Sequence, residues 1–390
     1  MSNLTRAIHT YNSFGYRLFM DTPAFHGLLA ARNRHFRRKV LLVNLRAAAI
    51  NALLERVFTR AAASLGRELA LDVYHSFDAG YDLFTVPNGT GFRVRDSGLD
   101  NLKQFVAGTR YDACVFLDLP YWEQGFMPYI WLAMAGGAAQ KHFIANDNLL
   151  AEGHLFSVDL AQRLRLFDAL DTACVVNQHS VREWGRFGRP KRGFTERDYA
   201  VDCSYYEPSG STDGGYLLSC GHADRDYGAL FRALELCGPC PRLKIYTEAG
   251  LAVPARLKRR VEIVPYSADS GRMKELVAGA SCVVLPVRPS APNPGAGLSV
   301  ALLSMAMGKV VLTSGNACVH RYLEDGVSAF TYRELTPRSL AAGLRRVLAL
   351  PPAGKAAVCA AARRAVLRRN DMNPFVESYL AGLLKGLSRS

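Results

Sequence analysis

Pro286-Val-Arg-Pro-Ser-Ala-Pro-Asn-Pro-Gly-Ala-Gly-Leu-Ser-Val300, continued as ALLSMAMGKVV to residue 311, is the stretch that decides the fold of this chain. It joins a predicted strand, Ser281–Val287, to an apolar helix predicted over Leu298–Met307. A glycine-rich loop that opens a helix presents backbone N–H groups and the positive end of the helix dipole to an anion. The stretch therefore predicts a phosphate or diphosphate site, with an ordinary strand-to-helix connection as the alternative.

A second strand-to-helix loop has similar chemistry. Cys220-Gly-His-Ala-Asp-Arg-Asp-Tyr227 precedes a helix predicted over Tyr227–Leu236. In a doubly wound sheet both loops lie at the carboxyl ends of strands, where Arg225 and His222 are expected to reach the same phosphates. The alternative is a solvated helix start with Asp226 near the N-cap.

Short apolar runs alternate with amphipathic stretches twice along the chain, which is typical of βα units around a parallel sheet. The predicted strands are Lys39–Leu45, Leu69–His75, Tyr111–Leu117, Lys141–Ala145 and Thr172–Asn177, then Gly215–Cys220, Leu243–Thr247, Val261–Val264, Ser281–Val287 and Val310–Thr313. Further predicted helices are Ala47–Leu65, Tyr129–Ala139, Ser157–Leu170, Met273–Ala278 and Leu340–Leu350. Trp184–Pro208, rich in Arg, Gly and Pro, is interpreted as a linker. The predicted fold class is α/β, with two Rossmann-like doubly wound domains facing across a cleft.

Composition agrees with a folded protein of two domains. The chain has 390 residues, of which 49% are hydrophobic, and a formal net charge of +14. That length predicts two cores and excludes a single small module or a fibrous chain. The amino terminus lacks the pattern of a signal peptide, and the most apolar windows, Phe126–Ala139 and Gly297–Met307, are shorter than the roughly 20 residues that cross a bilayer. We expect a cytoplasmic protein, or one peripheral on the inner face of the membrane.

Nine cysteines, most of them single and within apolar runs, are typical of buried free thiols in a reducing compartment. Cys237-Gly-Pro-Cys240 has the spacing of a thioredoxin-type motif. That motif needs a strand before it and a helix after it, whereas here the predicted helix comes first and the strand second. Gly238-Pro239 is therefore interpreted as a helix stop, and a redox role is not expected.

Two basic clusters contain interleaved aromatic residues, Arg32-Asn-Arg-His-Phe-Arg-Arg-Lys39 and Arg186-Phe-Gly-Arg-Pro-Lys-Arg192. Cationic and aromatic side chains together suit an anionic membrane face. An ordinary solvated basic surface is the equal alternative. No nucleic-acid recognition motif accompanies the charge, so nucleic acid is not an expected partner.

In their order and spacing these motifs resemble the retaining nucleotide-sugar glycosyltransferases of the GT-B fold, family 4 (glycosyl transferases group 1), over nearly the whole chain. The matching motifs of the carboxyl half are Gly221, His222 and Arg225 for the family's Gly-Arg…Lys loop, Met305-Ala-Met-Gly-Lys-Val-Val311, Tyr322-Leu-Glu-Asp-Gly-Val327, and Ala200-Val-Asp-Cys-Ser-Tyr-Tyr-Glu-Pro208 for the interdomain signature. In the amino half they are Tyr111-Asp112 with Asp118, and Asn146-Asp147; the terminal Asn373–Tyr379 resembles the family's last helix, which crosses back to the first domain.

The resemblance implies an acceptor-binding domain over 1–205, a nucleotide-sugar-binding domain over 206–370 and a crossing helix over 371–390. It implies donor-binding residues Gly221, His222, Arg225, Asn293, Gly295, Gly297, Leu298, Ser299 and Ser304. Arg225, the glycine-loop amides and the helix start would stabilise the leaving diphosphate. Asp118 and Asp147 would orient an acceptor hydroxyl or stabilise an oxocarbenium-like sugar, the alternative being cap or turn aspartates.

The chain departs from the family at the residues that hold the donor. Two glutamates of the family are replaced by Gly295 and Leu303, which leaves Ser299 or Ser304 for a ribose hydrogen bond. The expected activity is a hexosyltransferase-type transfer from a UDP- or GDP-sugar to a glycan or lipid-linked acceptor, with retention, without metal and without a further cofactor. The alternative is a non-catalytic GT-B subunit that binds a glycan or a partner glycosyltransferase.

Overall fold

The structure is a computed structural model, and contacts within it separate the chain into two compact units. The first comprises Met1–Asp198 together with Asn373–Ser390, and the second Tyr199–Met372. The residues that the structure describes are 34–44, 49–75, 93–95, 111–118, 138–146, 162–176, 178–209, 213–221, 224–248, 250–267, 270–288, 295–314 and 317–388.

The first unit is built on a parallel sheet. Its described strands are β1 (Arg38–Asn44), β2 (Leu69–His75), β3 (Arg93–Arg95), β4 (Ala113–Leu117), β5 (Gln140–Ile144), β6 (Thr172–Val175) and β7 (Phe194–Glu196). These seven strands lie in the order β3-β2-β1-β4-β5-β6-β7, and each neighbouring pair is parallel. The order reverses between β1 and β4, and doubly wound sheets bind their ligands at such a reversal.

The second unit repeats this plan. Its described strands are β8 (Tyr216–Cys220), β9 (Arg242–Thr247), β10 (Val261–Pro265), β11 (Ala280–Leu285), β12 (Val311–Ser314) and β13 (Phe330–Tyr332). They form a six-stranded parallel sheet in the order β10-β9-β8-β11-β12-β13. Here the reversal lies between β8 and β11.

Helices connect the strands of both sheets. In chain order the described α-helices are α1 (Ala49–Ser64), α2 (Gln178–Trp184), α3 (Tyr227–Cys237), α4 (Ser270–Ala278), α5 (Leu298–Ala306), α6 (Ala317–His320), α7 (Pro337–Leu348), α8 (Pro352–Arg369) and α9 (Met372–Leu387). Local signals fix several of their ends. Thr336 caps α7 by accepting the Ser339 N–H, with Pro337 in the first turn. No helix in the described part of the chain has the length and apolar character needed to span a membrane.

Most predicted elements are confirmed because they are buried strands with helices between them. Val40–Val43 of β1 are at most 1% exposed, as parallel strands covered on both faces should be. The linker expected over Trp184–Pro208 is wrong in part, since β7 pairs with β6 inside it. Within Ser157–Leu170 the described residues contain a short 3-10 helix, Leu166–Ala169, which follows a left-handed Arg165. The helix expected over Tyr129–Ala139 lies almost entirely outside the described residues.

An aromatic cluster fills the core of the first unit beside β5. Phe143 lies with its ring centroid 4.9 Å from those of both Phe167 and Trp184, and Phe167 stacks on Trp184 at 5.5 Å. Phe187 closes the cluster, and all four side chains are at most 1% exposed. Such aromatic pairs contribute packing energy beyond the apolar area that they bury.

Replacing Phe167 by Ala should therefore leave a large cavity and lower the free energy of unfolding by about 3–5 kcal/mol. Urea denaturation followed by tryptophan fluorescence measures the change. Leu164→Ala is the matched control, because Leu164 is 39% exposed and its truncation should cost less than about 1 kcal/mol. Equal losses for the two variants would show that the cluster does not stabilise the unit.

Candidate active site

The two loops singled out in the sequence lie side by side in the second unit. One follows β8 and the other follows β11, and these strands are neighbours at the reversal of strand order. The carboxyl ends of both strands therefore open at the same place on the sheet edge. This is the position at which an α/β sheet leaves room for a ligand between its diverging connections.

Backbone hydrogen bonds join the two loops to each other. The Asp226 N–H donates to the Pro286 carbonyl at 2.7 Å, and the Arg288 N–H donates to the Asp224 carbonyl at 2.8 Å. Arg225 and Val287 form an isolated antiparallel bridge between them. The loop after β8 is therefore held against the loop after β11 by main-chain groups, independently of any side chain.

Asp226 begins the helix that follows the first loop. Its Oδ1 accepts the Ala229 N–H at 2.8 Å, and Arg288 Nη2 lies 3.1 Å from the same oxygen. The Arg288 hydrogen bond and the Ala229 N–H together lower the pKa of Asp226 below its ordinary value, so that the carboxylate is charged at neutral pH. The N-cap interpretation of Asp226 is thus confirmed.

The Arg225 side chain lies between Gly221 and Gly297. Its Nε donates to the Cys220 carbonyl at 3.0 Å. A Cβ placed on Gly221 would lie 2.9 Å from Arg225 Nη2, and one placed on Gly297 would lie 3.8 Å from the same nitrogen. Burial lowers the pKa of Arg225, but an arginine stays protonated in proteins. The site therefore holds a guanidinium charge among backbone groups of both loops.

Both glycines have backbone conformations that other residues rarely adopt. Gly221 has φ 97° and Gly297 has φ 84°. Gly297 is the N-cap of α5, and no side chain hydrogen bond caps this end among the described residues. The positive end of the α5 dipole therefore adds to the charge of Arg225 near Gly295, Leu298 and the half-buried Ser299.

The structure separates Ser304 from this group. Ser304 is fully buried, and its hydroxyl donates to the Val300 carbonyl one turn earlier in α5 at 2.7 Å. Leu303, at the place of a family glutamate, is 7% exposed and packs in the core. His222 and Asn293 lie outside the described residues.

Sequence reasoning missed the residues that support Gly221. The Tyr227 hydroxyl and the Thr247 Oγ1 both donate to the Gly221 carbonyl, the latter at 3.1 Å. The Gly221 N–H donates to the Tyr246 carbonyl at 3.0 Å. Thr247 is the last residue of β9, the strand beside β8. The sequence indicated Thr247 only as a polar residue at the end of a predicted strand. No recognisable motif surrounds it.

In the first unit, Asp118 follows β4 directly, at the reversal of strand order. It is 4% exposed and has a left-handed backbone with φ 51°, which is costly for a residue other than glycine. Its Oδ1 accepts the Asn146 N–H at 2.7 Å, and its own N–H donates to the Ile144 carbonyl at 2.9 Å. The carboxylate is thereby fixed at the ends of β4 and β5. Asp147 lies outside the described residues.

Asp118 belongs to a buried polar network that extends to both sides. The Asn146 amide nitrogen lies 3.5 Å from both Asp118 Oδ2 and Asn51 Oδ1. On the far side Arg197 contacts Asn146 Oδ1 and donates to the Ala145 carbonyl at 3.1 Å. Buried charged groups are costly unless they are paired and hydrogen-bonded. The network therefore holds polar groups at the reversal of strand order in this sheet, at a cost in the free energy of folding.

Solved glycosyltransferase structures are similar to this chain over nearly its whole length. HepE of Anabaena, crystallised with UDP and glucose, has a TM-score of 0.64 at 15% identity, covering 90% of this chain and 100% of its own. Sucrose-phosphate synthase of Thermosynechococcus elongatus has a TM-score of 0.64 at 14% identity, covering 90% and 100%. A glycosyltransferase of Rickettsia africae has a TM-score of 0.65 at 12% identity, covering 91% and 99%.

These similarities define the fold. Each neighbour is a GT-B glycosyltransferase, and the chain has the GT-B fold with its two Rossmann-like sheets. No protein-family model and no curated protein sequence matches the chain.

Gly221→Ala should disturb the loop after β8. The new Cβ would meet Arg225 Nη2 at 2.9 Å, and the positive φ is unfavourable for alanine, so we expect the free energy of unfolding to fall by about 1–3 kcal/mol. Gly228→Ala is the matched control, since its Cβ would meet nothing closer than 3.5 Å inside α3. That change should be neutral or stabilising by up to about 1 kcal/mol. Thermal unfolding of the two variants measures the difference, and equal melting temperatures would contradict the assigned geometry.

Proposed function

We propose that this chain is a hexosyltransferase-type glycosyltransferase that moves a sugar from a nucleoside-diphosphate sugar to a glycan or lipid-linked acceptor, with retention. The observation that carries the proposal is the Arg225 guanidinium between Gly221 and Gly297, at the switch point of the second sheet. A diphosphate needs positive charge and bare backbone amides at close range, and this position offers both.

The chemistry requires the leaving diphosphate to be stabilised as negative charge develops on it. In the proposal Arg225, the amides of Gly295–Gly297 and the start of α5 supply that stabilisation. A preorganised guanidinium is well suited to this work, because its planar fork donates two parallel hydrogen bonds to phosphate oxygens. The proposal gives no part of this step to a metal ion.

The acceptor is assigned to the first unit. Asp118 directly follows β4, and its carboxylate is held by Asn146. Asp147 is the next residue after Asn146 in the sequence. A fixed carboxylate can accept the proton of an acceptor hydroxyl or stabilise an oxocarbenium-like sugar. His222, Asn293 and Ser299 are proposed as further contacts to the donor.

The nature of the donor is inferred from the neighbours. HepE has been crystallised with UDP and with UDP-glucose, and TarM with UDP and α-GlcNAc-glycerol. A uridine nucleotide is therefore the first donor to test for this chain, and a guanosine nucleotide the second.

A non-catalytic role has one specific observation in its favour. The places of the two family glutamates hold Gly295 and the buried Leu303, so that neither carboxylate is available to the donor sugar or the ribose. Binding of a nucleotide sugar without hydrolysis or transfer, across a panel of UDP- and GDP-sugars, would support this second role.

Arg225→Ala should weaken the binding of UDP by about tenfold or more, because a buried charge-assisted contact to phosphate is lost. Isothermal titration calorimetry measures the affinity. Arg242→Ala is the control, since Arg242 is exposed and begins β9 at the opposite, amino edge of the sheet. Identical affinities for UDP in the two variants would remove Arg225 from the donor site.

We also propose that the amino edge of the first sheet meets an anionic membrane. The described part of the first basic cluster runs into the start of β1, and the second cluster precedes β7. The amino ends of these strands lie at one edge of a parallel sheet. Arg37, Arg186, Arg189 and Lys191 are exposed there. A lysine or arginine without a neighbouring carboxylate contributes about 1 kcal/mol near an anionic surface, whereas Glu68 and Asp171 partly offset the charges of Arg37 and Lys191.

The protein should therefore sediment with phosphatidylglycerol vesicles at low ionic strength and be released by salt. The double variant Arg186→Glu/Arg189→Glu should bind at least about tenfold more weakly, whereas Arg338→Glu, an exposed site in the second unit, should bind nearly as the parent does. Absence of sedimentation at low salt would refute the membrane assignment.

A further inference from the structure

The Cys237-Gly-Pro-Cys240 motif brings two free thiols together at the end of α3. Cys237 is the last residue of the helix, and Gly238 leaves it with φ 81°. The stop interpretation of Gly238-Pro239 is thereby confirmed. Cys237 is buried, Cys240 is half-buried, and both are free. Burial raises the pKa of the Cys237 thiol, and the neighbouring Cys240, three residues further on, raises it as well.

An arginine contacts the more exposed of the two sulfur atoms. Arg260 Nη2 donates to Cys240 Sγ at 2.7 Å and to the Gly238 carbonyl at 3.1 Å. A second guanidinium, that of Arg345, donates to the Leu236 carbonyl at 2.9 Å. Both guanidinium groups offset the negative end of the α3 dipole, and the Arg260 charge lies beside the Cys240 sulfur.

Cys240 differs from the cysteines of the interior because it is half-buried. Burial raises the pKa of Cys114, Cys220 and Cys282 to about 12, so these thiols are inert at neutral pH. The order of helix and strand around the motif still excludes a thioredoxin-type site, because β9 and not a helix follows Cys240. The cation that contacts Cys240 is Arg260, which comes from the distant turn before β10 and leaves no trace in the local sequence.

We propose that Cys237 and Cys240 are a reversible dithiol–disulfide site whose oxidant is a low-molecular-weight disulfide. The Cys240 thiolate attacks one sulfur of the small disulfide, which gives a mixed disulfide on Cys240 and releases one small thiolate. Cys237 then loses its proton and attacks the Cys240 sulfur, forming the internal disulfide and releasing the second small thiolate. The protein loses two hydrogen atoms, and the small disulfide is reduced to two thiols. The site is independent of the proposed transferase activity.

Trypsin isolates the pair in one peptide, Ala233–Arg242, which contains no other cysteine. The native protein is incubated in mixtures of oxidised and reduced glutathione and quenched with acid. It is then alkylated in denaturant and digested with trypsin, and the mass of the peptide is measured by mass spectrometry. We expect a peptide lighter by two hydrogen atoms, whose fraction rises with the oxidised share and which returns to the doubly alkylated form with dithiothreitol. Cys237→Ser should instead keep glutathione on Cys240, since the second step is blocked.

The role of Arg260 is tested by rate. Arg260→Gln should slow formation of the disulfide about fivefold or more, as expected for loss of a charge-assisted contact that water partly screens. Arg259→Gln, the exposed neighbour, should react as the parent does. The proposal is overturned if the folded parent protein forms no internal disulfide at any ratio while the urea-unfolded chain forms it. It is also overturned if the two arginine variants, shown to be folded by circular dichroism, react at the same rate.

Discussion

The carboxyl unit depends on the fit of one guanidinium between two turns that only glycine forms readily. Arg225 occupies the space that a side chain on Gly221 would need, and its Nε is tied to the strand that precedes the loop. The adjacency of β8 and β11 makes this fit possible, because it brings the two loops together before any side chain takes part. The position of the Arg225 charge therefore depends mainly on the strand order of the sheet, and the local sequence of the loops adds to it.

Most of the fold could be predicted from the sequence, because buried parallel strands have a recognisable pattern of continuous apolar residues. A run such as Val40–Val43 is apolar on both faces, and no exposed alternation obscures it. β7 and β13 are three residues long and too short to show any period. α8 presents only Val358, Ala362 and Val366 to the core, a stripe too narrow to stand out among its alanines and arginines. These elements owe their form to the neighbours on which they pack.

The candidate site was predictable where the backbone decides it and hidden where distant side chains do. The glycines of both loops indicate unusual backbone conformations in the sequence. In the structure Gly221 and Gly297 have positive φ angles, as this pattern predicts. Ser304 shows the limit, since helical periodicity alone did not reveal that its hydroxyl is used within its own helix. Thr247, Asn146 and Arg260 each act on a residue far away in sequence, and such pairings exist only once the chain has folded.

Both sheets end in strands that are poor templates for another chain. In the described part of the first sheet the outermost strands are the three-residue β3 and β7, and in the second the edge strand β10 ends at Pro265. Short edges, charged edge residues such as Glu196 and Glu262, and a terminal proline all discourage strand addition. These edges make both folded sheets poor sites for the strand addition that starts fibrillar aggregation.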